Sequence, residues 1–150
     1  MTATAAATEM VDLPTSGRVF AAHATVRLGD VDTRARLRFD ALARMLQDVA
    51  TDDTADAGLD TDDERASSWV VRRTMVELTR SAILDERLEL RTFCSGTGRS
   101  WAERRTSITG AGGAAIEAVS LWIRIDAASG RPIGLGDRFQ DLYGPTAAGR

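Results

Sequence analysis

The sequence carries one strong helical period and, after it, only strand periods. Phe39, Leu42, Ala43, Leu46, Val49 and Ala50 recur at i, i+3, i+4 and i+7 spacing, which puts them on one face of a helix predicted over Leu37–Thr54. Downstream, SSWVVRRTMVELT, ERLELRTFCSG, RSWAERRTSITG and GAAIEAVSLWIRID alternate and are rich in β-branched and aromatic residues, which predicts four strands. Arg18–Leu28, with Val19, Phe20, Thr25 and Val26, predicts one more strand before the helix. The Gly-dense ITGAGGAA predicts a hairpin between the last two strands, Ser129–Pro132 closes the sheet region, and a short helix is predicted around Asp137–Tyr143. An antiparallel sheet with a single long helix buries one face against that helix, so the expected class is α+β, a central helix wrapped by a sheet of five or six strands. One helix covers only part of such a sheet, and the remaining edge and apolar face predict a homodimer or homotetramer.

A chain of 150 residues is the size of one domain. Residues 1–17 are Ala/Thr-rich and lack periodicity, which predicts a flexible arm before a folded unit over 18–143 and a flexible tail over 144–150. The acidic stretch Asp52–Glu64, interrupted by Gly58, predicts a solvated, mobile connection. No apolar run of about 18 residues exists to span a bilayer. The start MTATAAATEMVDLPTSG carries acids and small residues in place of a basic and then apolar secretory signal, so a cytoplasmic location is expected. A net charge of -3 argues against nucleic acid as a partner. One cysteine, Cys94, and one histidine, His23, cannot make an internal disulfide or a Cys/His zinc site, and no metal or other cofactor is expected.

Two readings stand for the turn Gly29-Asp30-Val31-Asp32 that precedes the helix. Its carboxylates shape the turn and cap the helix region, or one of them does chemistry at the helix N-terminus. In the second reading the backbone N–H groups of Leu37–Asp40 face a carbonyl oxygen, where the positive end of the helix dipole favours developing negative charge. His23 has no carboxylate or second histidine at a recognisable spacing, Cys94 has no nearby histidine to activate it, and Ser120 lacks a nucleophile elbow. Arg34, Arg36, Arg38 and Arg44 flank the turn, and Arg72, Arg73, Arg99, Arg104 and Arg105 lie on or beside strands. They suit an anionic partner or, equally, strand-face pairs with Glu77, Glu89 and Glu103.

Four segments resemble a known family: MLQDVATDD at Met45–Asp53, SWVVRRTMVEL at Ser68–Leu78, LRTFCSGTGRSWAERRTSI at Leu90–Ile108, and AVSLWIRID at Ala118–Asp126. Together they look like the acyl-ACP thioesterases over Arg18 to about Phe139, with Phe93 where the family has a strand tryptophan. The resemblance implies a hotdog fold, a long helix wrapped by an antiparallel sheet. Plant members carry two hotdog units, and this chain is similar to the first; their catalytic Asn and His lie in the second, in a motif like DxDxNxHVNN. Laid on that motif, Asp30 and Asp32 are matched, while Arg34 and Arg36 stand at the Asn and His places. LGDVD also resembles the GDCD-like turn of hydroxybenzoyl-CoA-type hotdog thioesterases, which puts Asp32 at their catalytic aspartate.

What the resemblance implies is hydrolysis of fatty acyl thioesters of acyl carrier protein or coenzyme A. Asp32 would supply the carboxylate, and Gln47 and Asp48, off the apolar stripe of the helix, would face a partner subunit. Asp30, Arg36, Arg38, Trp69, Arg73, Arg99 and Arg105 would contact the substrate, with Trp69, Met75, Trp101 and Trp122 either lining an acyl channel or forming plain core. The arginines at the Asn and His places motivate an alternative, a non-catalytic acyl-binding hotdog or partner subunit. An enoyl-thioester hydratase is a weaker one, because His23 is poorly placed for the Asp/His pair it needs.

Overall fold

A computed structural model describes residues 10–59 and 66–147. The start of the expected arm (1–9), the middle of the expected acidic connection (60–65) and the last tail residues (148–150) lie outside the described residues. Strand β1 (Phe20–Thr25) leads through a short 3-10 turn (Leu28–Asp30) into helix α1 (Phe39–Asp56). Strands β2 (Ser67–Arg80), β3 (Arg87–Thr97), β4 (Trp101–Gly110) and β5 (Ala115–Asp126) follow, and helix α2 (Asp137–Ala147) closes the described chain. The five strands make one antiparallel sheet in the order β1-β3-β4-β5-β2. This is the α+β arrangement that the periodicities predict and the hotdog that the resemblance implies.

Leu90, Ile108 and Ile116 are in register across three strands and are buried with Leu42, Met45, Leu46 and Val49 of α1. Each such aliphatic side chain contributes roughly 1.5–3 kcal/mol when fully removed from water. A register shift between Val71 and Arg73 lets β2 keep Trp69 and Val71 on the same face as Thr74, Val76 and Leu78. Thr74 meets Ser120 on that face, hydroxyl to hydroxyl at 3.0 Å. A second apolar group, with Leu59, Cys94, Ala102, Leu135, Phe139 and Tyr143, fills the space where α2 packs beside the C-terminal end of α1.

Helix α1 starts and stops later than its predicted Leu37–Thr54. Leu37 and Arg38 are still extended, because their N–H groups donate to Ala82 O and Asp30 O, both at 2.9 Å. At the other end the helix continues through Asp56 and closes at Gly58, whose φ of +74° favours glycine. The first part of the expected acidic connection is therefore helical, and Asp53 within it is fully buried. Residues 144–147, read from the sequence as tail, are helical: α2 runs through Ala147, with Thr146 buried and its hydroxyl donating to Cys94 O at 2.7 Å.

Candidate functional site

The turn before α1 is built by its own carboxylates. Asp30 Oδ2 accepts the Arg27 N–H at 2.9 Å, closing the 3-10 turn. Asp32 Oδ1 accepts the N–H groups of Arg34 (2.8 Å) and Arg36 (3.1 Å), and a second pair of backbone bonds joins Asp32 N–H to Arg36 O and Ala35 N–H to Asp32 O. Ala35 adopts a positive φ of 60° to complete this loop, a conformation that costs a residue with a Cβ. The Arg36 N–H first, working against burial, and then the Arg34 N–H and the Arg36 guanidinium hold the Asp32 carboxyl below the usual carboxylate range. Asp32 is thus ionised at neutral pH. Among the described residues its Oδ2 has only a long 3.4 Å contact with Arg36 Nη2, and that is the oxygen with capacity for a further partner.

Asp32, Arg36, Arg38 and Phe39 line a cavity of about 360 Å³ together with Leu42, Leu78 and their neighbours. Phe39 is 66% exposed at its mouth. Arg38 is held by Asp40 (2.9 Å) and by Val31 O (3.0 Å). Of the backbone donors predicted to face a carbonyl oxygen, Leu37 and Arg38 are occupied and the Asp40 N–H is turned to its own carboxylate, which leaves Phe39 in the first turn of α1. The arrangement gathers one ionised carboxylate, two arginines, a helix N-terminus and an apolar wall. Those are the parts needed to hold an acyl carbonyl, orient a water beside it and accept the water's proton.

The other predicted residues are placed elsewhere. Asp30 Oδ1 pairs with Arg44 at 2.9 Å, and Asp30, Arg44, Asp48 and His23 share a second cavity of about 240 Å³ between β1 and α1. His23 is therefore not beside Asp32; its Nε2 lies 3.7 Å from Glu89. Asp48 pairs with Arg44 at 3.3 Å, and Gln47 is exposed on α1 and lines neither cavity. Trp69 lies at the far end of α1, with its ring centroid 5.3 Å from that of Phe139. Arg73 is exposed on β2, and Arg99 is exposed in the β3–β4 turn, its carbonyl accepting the Leu135 N–H. Arg105 is only 4% exposed, on the sheet face away from α1, where its guanidinium donates to Glu117, Val11 O, Thr106 O and Ala118 O. The bond to Val11 O ties that residue to the sheet, and the set leaves Arg105 no access to the Asp32 cavity.

A buried ionic cluster escapes the sequence reading. Asp53 Oδ1 accepts Arg18 Nε at 2.7 Å, while Oδ2 accepts Arg104 Nη1 at 2.8 Å and the Tyr143 hydroxyl at 3.0 Å. Burial, followed by the neighbouring Asp53 charge, raises the Tyr143 pKa against the opposing Arg104 charge. Cys94 behaves as the buried thiol predicted for it: burial pushes its pKa up to about 11. The signal that could have exposed Asp53 is its place at i+4 from Val49 and i+3 from Ala50, on the apolar stripe itself.

Residues 17–143 match the acyl-ACP thioesterase N-terminal domain family. An uncharacterised Mycobacterium tuberculosis protein is 28% identical over 137 residues, which cover 91% of this chain and 54% of that protein. The chain spans about half the length of the curated relatives it matches. Among solved structures, an acyl-ACP thioesterase from Bacteroides thetaiotaomicron superposes with a TM-score of 0.73 at 22% identity, over 83% of this chain and 52% of that one. A 1,4-dihydroxy-2-naphthoyl-CoA thioesterase from Synechocystis gives 0.73 at 13% identity, over 83% and 95%. At these identities the superpositions establish the hotdog fold, and the match over most of the sequence establishes the lineage: the chain belongs to the acyl-ACP thioesterase family, as a hotdog unit of the N-terminal-domain type.

Proposed function

We propose that this chain takes part in hydrolysing fatty acyl thioesters of acyl carrier protein or coenzyme A, with Asp32 as the carboxylate that activates water. The observation that carries the reading is the ionised Asp32 on a cavity beside the first turn of α1. Family membership supports the thioester as substrate, and both solved relatives named above are thioesterases. Water attacks the thioester carbonyl carbon while Asp32 Oδ2 takes its proton; the carbonyl oxygen, now negative, accepts the Phe39 N–H group at the positive end of the α1 dipole. Collapse of that intermediate breaks the C–S bond, and the sulfur leaves as the thiol with the proton held by Asp32. Arg36 and Arg38, on the same cavity, would meet the phosphate of a pantetheine arm. Gln47 and Asp48, exposed on α1, would complete the site from a second copy or a second hotdog unit, paired through the open edge of β2 in a cytoplasmic homodimer or larger assembly.

A second reading, acyl-thioester binding without cleavage, is favoured by one feature: Asp32 Oδ1 is fully engaged in shaping its own turn, and Arg34 and Arg36 stand where the tandem enzymes are expected to have Asn and His. Thiol release measured over a series of acyl-CoA and acyl-ACP chain lengths separates the two. Hydrolysis is expected, and Asp32→Asn should lower it by about 100-fold or more with unchanged thermal unfolding. Saturable binding of acyl thioesters with no thiol released would select the second reading.

A further inference from the structure

An aromatic chamber of about 90 Å³ lies at the C-terminal end of α1, walled by Trp69, Trp122, Phe139, Cys94, Ala102 and Arg104. It shares no lining residue with the Asp32 cavity. Arg104 points from β4 toward Asp53 of α1, so strand alternation turns the side chain of the neighbouring Glu103 to the opposite sheet face. Among the described residues that line the chamber, Arg104 is then the one charged side chain on its side of the sheet. It is 8% exposed, and its Nη1 donates to Asp53 at 2.8 Å and Thr92 at 3.3 Å, with the Tyr143 oxygen beside the same guanidinium. A guanidinium carries five N–H donors, more than those three acceptors take up. Nε and Nη2 take no part in the bonds to Asp53 and Thr92, and neither is sealed from water. Of the Asp32 cavity, the cavity between β1 and α1 and this chamber, Arg104 lines only the chamber.

The charge on Arg104 is only partly matched within the protein. Asp53 also accepts Arg18 Nε at 2.7 Å, so two guanidiniums divide one buried carboxylate, while the exposed Asp56 bonds Arg18. A buried positive charge with donors to spare favours an anion, and a planar guanidinium grips a carboxylate through two oxygens. The tryptophan, phenylalanine and alanine walls call for hydrocarbon on the rest of the ligand. An apolar cavity of about 150 Å³ admits benzene, so the smaller chamber suits a body of roughly two or three carbons.

We propose that this chamber binds a short aliphatic carboxylate, its oxygens on the N–H groups that Arg104 has to spare and its hydrocarbon against Trp69 and Phe139. The site is independent of thioester chemistry at Asp32. Its test is a titration of the ¹⁵N-labelled chain followed through the indole N–H resonances of its three tryptophans, assigned by Trp→Phe variants, with propanoate, propanamide and inorganic phosphate as probes. Propanamide keeps the size and plane of propanoate without the charge, and phosphate keeps a charge without the hydrocarbon. The expected result is a saturable shift of Trp69 and Trp122 with propanoate, affinity about tenfold or more weaker for propanamide, no saturation with phosphate, and an unmoved Trp101. Arg104→Lys, which keeps a positive charge beside Asp53 and loses the fork, should weaken propanoate binding by about tenfold. Equal affinity for propanamide, tighter binding of phosphate, unchanged affinity in Arg104→Lys, or a response of the Phe39 amide at the Asp32 cavity with Trp69 and Trp122 unmoved would each overturn the proposal. The probe comparison on the wild-type chain decides the matter even if the variant fails to fold.

Discussion

At Asp53 one carboxylate serves two arginines and a tyrosine hydroxyl with no exposure to water. Removing it leaves Arg104 buried with its charge unmatched, so Asp53→Ala should destabilise the fold by about 3–5 kcal/mol in urea titrations; a loss within the error of the wild-type value would show that water replaces the carboxylate. The same cluster predicts an alkaline limit. Tyr143 is the single tyrosine, so tyrosinate absorbance reports it alone. Its folded pKa lies above the ordinary value of 10, so the folded state holds a proton that the unfolded state releases. Stability is then fully present below pH 10 and is lost as pH rises beyond it, and tyrosinate should form together with unfolding; ionisation in a still folded protein near pH 10 would contradict this. Asp53 also shows why residue type misleads: its spacing put it on the buried stripe, while its charge and acidic neighbours argued for a loop.

Individual elements are locked to one another by a second buried acid. Glu86, in the β2–β3 connection, accepts Ile83 N–H at 3.1 Å through one oxygen and Gly112 and Ala114 N–H at 2.8 and 3.0 Å through the other, which ties that connection to the β4–β5 hairpin. Glu86→Ala strands three donors and should cost about 2 kcal/mol or more, with faster amide exchange at Gly112 and Ala114 before any change in the sheet centre; uniform acceleration across all strands would point to global destabilisation instead. The hairpin itself was legible, because its glycines interrupt two alternating runs. Its anchor was not, since nothing local marks Glu86 as the acceptor for residues 26 and 28 positions away. The start of α1 fails for the same reason: Leu37 and Arg38 fit the helical pattern, yet hydrogen bonds to Ala82 and Asp30 keep them extended.

At the scale of the whole molecule, among the described residues β2 pairs only with β5, and its other side is an open edge beside the exposed Val70, Met75 and Leu78. An edge of 14 residues invites pairing, so light scattering of this chain should return at least twice its 16.1 kDa; a monomer at micromolar concentration would remove the proposed self-association. The order of one strand, a long helix, four strands and a closing helix, the hairpin and the family lineage were determined by the sequence alone, because periodicity and turn residues act between near neighbours and record which face each residue turns inward. Only the tertiary structure decided that Asp30 and Asp32, two residues apart, face different cavities, that Arg105 is a brace on the far side of the sheet, and that Asp53 is core. Those outcomes depend on which distant backbone and side-chain groups meet each charge, and single-chain spacing carries no record of such partners.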